Sequence, residues 1–286
     1  MRTNRRRQSL APLLRNARLE VLPTPTAEQR VTENVAVGRT ITVTASPNRG
    51  LEATLDLAER LAGQGYQAVP HLAARMVSGR SELVEITERL LAVGIYTVFV
   101  PAGDADSVAG DYASSVDLLE DLAAIGRPFA DVGVTGYPES HPMIVDDVTV
   151  QSMWDKRRHA TYIVSNMCFN PRVLRTWIVR IRKRGITLPL LVGLAGPVER
   201  AKLLAMATKI GVGESTRFLT KNRSAVAKIA SPGYSPERLL DKTAATLTAP
   251  ESLVTGLHLF TFNQVAEVER WRARLLAAAE DGSLVG

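Results

Sequence analysis

The sequence predicts a (β/α)₈ barrel of the TIM type, folded as one domain. Three observations carry this expectation. Eight short β-rich runs recur along the chain with helical patterns between them. Several of these runs are apolar without alternation, as in parallel strands covered on both faces. The 286 residues suit one barrel, and no solenoid-length repeat or low-complexity linker divides them.

The predicted strands are LEVL (19–22), TITVT (40–44), QAVPHL (67–72), YTVFV (96–100), DVGVT (131–135), TYIVS (161–165), LPLLVGL (188–194) and GLHLFTF (256–262). Helical periodicity covers 51–65, 81–94, 114–126, 171–185, 197–211, 235–247 and 264–280. Ser81 and Ser114 stand where N-caps are expected, and several of these patterns stop at a glycine. The competing architecture is an open doubly wound sheet. No G-x-G-x-x-G follows the first run and no G-x-x-x-x-G-K-[ST] occurs anywhere, so the common nucleotide fingerprints are missing.

The net charge of +6 is matched by six arginines within residues 1–19: Arg2, Arg5, Arg6, Arg7, Arg15 and Arg18. The remainder is near neutral, which argues against a nucleic-acid groove. Residues 1–17 therefore read as a basic, solvated tail, and 18–286 as the barrel. The tail is Arg-rich and acid-poor like a transit peptide, but no long apolar segment follows it. One cysteine, Cys168, excludes an internal disulfide framework and fits a reducing, cytoplasmic setting. No apolar run approaches a membrane span. Pairing of barrels through exposed helix faces is a possible homo-oligomer.

In such barrels chemistry collects where strands end. The polar residues there are Glu20, Thr44, Asn48, His71, Asp104 after Gly103, Tyr137, Glu139, His141, Ser165, Asn166, Thr261 and Asn263. Each has a plain structural reading. Glu20 is a costly interior charge unless paired or functional, and an ordinary ion-pair partner if it faces outward. His71 can be a satisfied core histidine, Asp104 a cap for the next helix, Tyr137 packing and Asn48 a turn residue. What distinguishes them is their coincidence on one rim. The stretch TGYPESHP (135–142) adds a rigid loop, because its two prolines forbid a helix. The histidines at 71, 141, 159 and 258 show no metal-ligand spacing, and no H-E-x-x-H or G-x-S-x-G is present, so no metal site is expected. Such a rim suits a large, partly aromatic cofactor or substrate better than hydrolysis.

At these residues the chain resembles the methylenetetrahydrofolate reductase family. LEVLPTPT, ITVTASPNRG, VPHLAAR, GIYTVFVPAGD, GYPESHP and GLHLFTFNQ resemble its motifs in order, across most of 18–280. The resemblance implies a barrel that binds FAD at its carboxyl rim. NAD(P)H and a tetrahydrofolate derivative would react there in turn, interconverting 5,10-methylenetetrahydrofolate and 5-methyltetrahydrofolate. That places the protein in one-carbon metabolism and methionine biosynthesis. By position Glu20 resembles the family's general acid, a carboxyl kept protonated by poor solvation, and Asp104 an acid near the pterin and flavin rings. Thr44, Asn48, His71, Gly103, Tyr137, His141 and Lys156 resemble cofactor contacts, Glu139 a brace for its loop, and Asn166 and Gln264 substrate contacts. Three departures stand out. Ala102 replaces the usual arginine before Gly-Asp, Asn166 a glutamine, and Gln264 an arginine after the closing strand. Candidates for the basic residue that a folate tail would then need include Arg217, Lys221 and Arg223. The segment GLAGPVERAKLLAMATKIGVGES resembles a shorter branch associated with one-carbon demethylation, where methylfolate is oxidised. The alternatives are a flavin-free reductase on the same barrel, and a folate- or nucleotide-binding barrel without redox chemistry. A Schiff-base lyase ranks lower, since no lysine stands clearly at a strand end.

Overall fold

The computed structural model describes residues 8–138, 146–197 and 235–281, with backbone alone for 146–150. The predicted helix at 197–211 and the basic residues Arg217, Lys221 and Arg223 lie outside them, as do Glu139 and His141.

Eight parallel strands form the barrel: β1 (Arg18–Val21), β2 (Thr40–Val43), β3 (Gln67–Pro70), β4 (Thr97–Phe99), β5 (Asp131–Gly136), β6 (Tyr162–Ser165), β7 (Leu190–Ala195) and β8 (Val254–Phe260). Their order is β3-β2-β1-β8-β7-β6-β5-β4. The ring is completed between β3 and β4 by a single parallel bridge from His71 to Phe99, with the Leu72 amide donating to the Phe99 carbonyl at 2.8 Å. The eight-strand barrel is thus as predicted, with strand ends shifted by a residue or two. The shifts matter: Thr44, His71 and Thr261 lie just past their strands, on the rim.

Among the described residues the helices are α1 (Ala11–Arg15), α2 (Ala27–Asn34), α3 (Glu52–Gly63), α4 (Arg80–Ala92), α5 (Ser115–Ala124), α6 (Asp146–Lys156), α7 (Pro171–Lys183), α8 (Pro236–Leu247) and α9 (Val265–Asp281). Ser114 caps α5 with a full capping box closed by Asp117, as its sequence predicts. Ser81 does not cap α4. Gly79 is the N-cap there, and the Ser78 amide and hydroxyl both donate to Glu82 at 2.6 Å. The periodicity did not announce α2, because only Ala27 and Val31 of its eight residues are buried. The same holds for α6, whose first half is rich in β-branched residues.

The second half of the N-terminal tail is not solvated. Leu10, Leu13, Leu14 and Ala17 are buried, and α1 packs against β8 and α9. The Arg272 guanidinium donates to the Leu14 carbonyl, and Arg39 donates to the carbonyls of Arg15 and Ala17. The arginine count concealed three leucines at the spacing of one helix face.

Two apolar clusters organise the fold. The larger fills the shell between strands and helices and includes Leu19, Val21, Val98, Ile163, Trp177 and Leu257. The smaller, Val69, Phe99, Tyr162, Val164 and Leu191, fills the barrel interior. Gly133 and Tyr162 are register partners, and a Cβ at Gly133 would stand 2.4 Å from the tyrosine ring. Small opposite large is how a barrel interior closes its layers. Among the described residues no helix is long and apolar enough to cross a membrane.

Candidate active site

Strand alternation decides where Glu20 points. Leu19 and Val21 are buried in the outer shell, so Arg18 and Glu20 face the interior. Arg18 lies over the Tyr162 ring, 4.5 Å from its centroid, one layer below Glu20. The outward reading of Glu20 does not hold. Its backbone is fixed from β8: the Thr261 hydroxyl donates to the Glu20 carbonyl at 2.6 Å.

Two histidines converge on the carboxylate. His258 Nε2 is 2.9 Å from Glu20 Oε2, and His71 Nε2 is 3.6 Å from the same oxygen. The side chains of His258 and His71 are 2% and 9% exposed and that of Glu20 is 16% exposed, so the carboxylate is the most open of the three. Burial by itself pushes the Glu20 carboxyl up. The His258 hydrogen bond and the charges of both histidines outweigh it, and the carboxyl sits below its ordinary value. This corrects the expectation of a carboxyl kept protonated by poor solvation: the partners, absent from that argument, favour the ionised form. His71 is pushed down to about 4 by burial, which the nearby Glu20 charge only partly opposes. It is neutral at physiological pH, and its ring packs against Phe99 at 4.7 Å.

Several polar atoms around this cluster are buried without a hydrogen-bond partner among the described residues: the hydroxyls of Thr42 and Thr44, His71 Nε2 and His258 Nδ1. The Thr44 hydroxyl is near enough to favour the Glu20 charge but makes no hydrogen bond of good geometry. Native interiors rarely leave such groups unpaired, and where they do the cause is commonly a ligand or water. The Gln264 side chain, just beyond the barrel's closing turn, is also buried with both amide atoms unpartnered among the described residues.

The other candidates separate into groups. Asp104 is exposed in the loop after β4, ten residues short of the next helix cap at Ser114, so it does not cap that helix. It lies close to Tyr137: burial raises the tyrosine, a Thr135 hydrogen bond opposes this, and the Asp104 charge adds to the rise. Gly103 has φ +91°, and a Cβ there would stand 3.0 Å from Ala73 Cβ. The β3 and β4 loops are held together by Arg75, which donates to the carbonyls of Ala105 and Asp106 at 2.8 and 2.9 Å. Asn48 is exposed on the turn bridged from Ser46 to Gly50. Asn166 is exposed and its side chain accepts from the Met167 amide at 2.8 Å.

Lys156 is buried at the last position of α6. That helix returns from the β5 rim, so its end lies toward the opposite end of the barrel from Glu20. Burial pushes the Lys156 amine down to about 8, with Asp155 opposing.

Ser165, Thr261 and Asn263 are braces. The Ser165 hydroxyl accepts from the Gly193 amide and donates to the Asn166 carbonyl. The Asn263 side chain accepts from the Leu22 amide and donates to the Leu22 carbonyl and the Thr24 hydroxyl. The residue at Glu20 that the sequence reading left without a role is His258. The signal was there: the first and last strands of a barrel are neighbours, and His258 alternates inward between Leu257 and Leu259.

Among the described residues no group of three or more His, Cys, Asp or Glu could hold a metal ion. Solved structures of similar shape include a protein from Burkholderia cenocepacia J2315 assigned as a phosphonomutase. It is 10% identical with a TM-score of 0.50, covering 99% of each chain. A 2,3-dimethylmalate lyase of the PEP mutase/isocitrate lyase superfamily is 12% identical with a TM-score of 0.50, covering 97% of this chain and 88% of the other. At such identities the likeness describes the fold alone. The family model described as methylenetetrahydrofolate reductase matches residues 26–270, beginning just after β1 and its Glu20. That span takes in seven of the eight strands, and with the motifs of the rim it means that this chain belongs to the methylenetetrahydrofolate reductase family, oxidoreductases acting on folate one-carbon units.

Proposed function

We propose that this barrel is a flavin-dependent oxidoreductase interconverting 5,10-methylenetetrahydrofolate and 5-methyltetrahydrofolate, with Glu20 as its acid–base group. The observation that carries the reading is the interior carboxylate at the rim, held by His258 at 2.9 Å and open on its remaining side. The unpartnered hydroxyl of Thr44 and Nε2 of His71 fit a polar heterocycle laid across that rim. Tyr137 and Asp104 fit the same face from β5 and β4. Bound FAD would supply a two-electron carrier able to take a hydride from the folate or return one, with NAD(P)H as its other partner.

Glu20 handles the proton. As the methylene bridge opens, the leaving nitrogen must gain a proton, and a carboxyl can give it. In reverse, that nitrogen closes onto the one-carbon unit and its N–H bond breaks, the proton passing to the carboxylate. The ionised form favoured at Glu20 is the one needed to accept this proton.

The test is the visible spectrum of the protein purified with FAD and freed of excess, followed by addition of 5-methyltetrahydrofolate. A retained flavin that bleaches is the expected result. Glu20→Gln should slow that bleaching by at least about 100-fold while sparing flavin reduction by NAD(P)H. Equal bleaching in the variant would remove Glu20 from the mechanism. A second reading is favoured by Ala102, which offers a cofactor no cation. In it hydride passes directly between NAD(P)H and the folate, and the protein would be colourless yet active.

A further inference from the structure

We propose that His258 is a positioning residue that holds Glu20 in its proton-accepting form by donating a hydrogen bond to Oε2, leaving Oε1 to meet the ligand. The geometry supports this at each point. His258 Nε2 has Glu20 Oε2 at 2.9 Å, while Nδ1 is buried without a partner among the described residues. The Nε2 contact is therefore the polar contact that orients the ring. The ring itself is buried and set edge-on to Phe260, with centroids 4.9 Å apart. Strand register fixes the pair further: β1 and β8 are bonded neighbours, with Glu20 opposite Phe260 and His258 opposite Arg18.

Among the described residues the groups facing Glu20 are few. From β8 comes His258, from β3 His71 at 3.6 Å, and from β2 the hydroxyl of Thr44, unpaired among those residues. Arg18 is one interior layer down, engaged with Tyr162. His71 is neutral near pH 7. His258 makes the largest offset to burial, ahead of the His71 charge and the Thr44 hydroxyl. Removing it shifts the balance at Glu20 toward the protonated carboxyl.

This inference rests on the acid–base role given to Glu20, so its first test uses no substrate. In His258→Leu the infrared carbonyl band of a protonated carboxyl should be present at pH 7. The band should be absent from wild type and from the Glu20→Gln/His258→Leu double variant. The carboxyl should titrate about one to three pH units higher than in wild type. His258→Gln keeps an N–H donor and should restore most of the shift. If His258→Leu does not fold, His258→Asn, whose shorter amide withdraws from Oε2, takes its place. The second test is the pH profile of 5-methyltetrahydrofolate oxidation: its acidic limb should move up by the same interval, in kcat more than in KM. An unshifted carboxyl in both His258→Leu and His258→Asn overturns the inference. A shifted carboxyl in a protein that never turns over methylfolate leaves it standing and overturns the folate reading instead.

Discussion

Asn263→Ala probes the joint that carries the rim of β8 onto β1. Asn263 is 3% exposed and takes part in three side-chain hydrogen bonds, from the Leu22 amide at 2.8 Å and to the Leu22 carbonyl at 3.1 Å and Thr24 hydroxyl at 2.8 Å. Its φ is +58°, and Phe262 before it is at +48°. Alanine leaves the Leu22 amide without its acceptor, at about 1–3 kcal/mol, while the Leu22 carbonyl keeps the Thr24 amide at 2.7 Å. It also loses asparagine's tolerance of the left-handed region, about 1 kcal/mol more. The expected loss is therefore about 2–4 kcal/mol, read as a lower urea midpoint with an unchanged slope. Asn263→Gly removes the same hydrogen bonds but not the conformational freedom, so it should recover about 1 kcal/mol relative to alanine. If alanine costs less than about 0.5 kcal/mol, or glycine is worse than alanine, the joint does not work as described.

Three further outcomes follow. Lys156→Met should stabilise the fold at pH 7. The folded amine titrates near 8 against 10.5 unfolded, so keeping it charged in the fold costs about 3 kcal/mol below pH 8, a penalty that fades toward pH 10.5; melting across that range checks it. His71 titrates near 4 in the fold against 6.5 unfolded, so the unfolded chain binds the extra proton and stability should fall as pH drops from 6.5 to 4. His71→Phe should flatten that part of the melting curve against pH, and an unaltered slope would refute the assignment. Leu14→Ala should cost about 2–5 kcal/mol in urea unfolding, whereas the same change in a solvated tail would be nearly silent.

The barrel was legible because eight β-rich runs and glycine-ended helices repeat a single unit, and each repeat corroborates the others. Gly65, Gly94, Gly126 and Gly185 all take positive φ just past their helices, as the sequence pattern anticipates. The N-terminal helix was hidden by charge, since six arginines outweighed Leu10, Leu13 and Leu14 in composition. At the site, Glu20 and His71 were readable from their places at strand ends. The carboxylate's ionised state was not, because it depends on His258, 238 residues away in sequence, and desolvation alone argues for the neutral, protonated form. Thr261 and Asn263 look like ligand groups in a list of rim residues; only their hydrogen bonds to the first strand identify them as braces.

Glu20 comes from the first strand and His258 from the last, and α1 before them rests on β8 and α9. During synthesis the chain emerges in order, so the carboxylate waits through six further strands before its partner arrives. A nascent chain halted before β8 has Glu20 but neither the imidazole bonded to its carboxylate nor the Thr261 hydroxyl that fixes its backbone. Completion of the barrel and assembly of the Glu20–His258 pair are therefore one event, and an interrupted translation product carries the carboxylate without its partner.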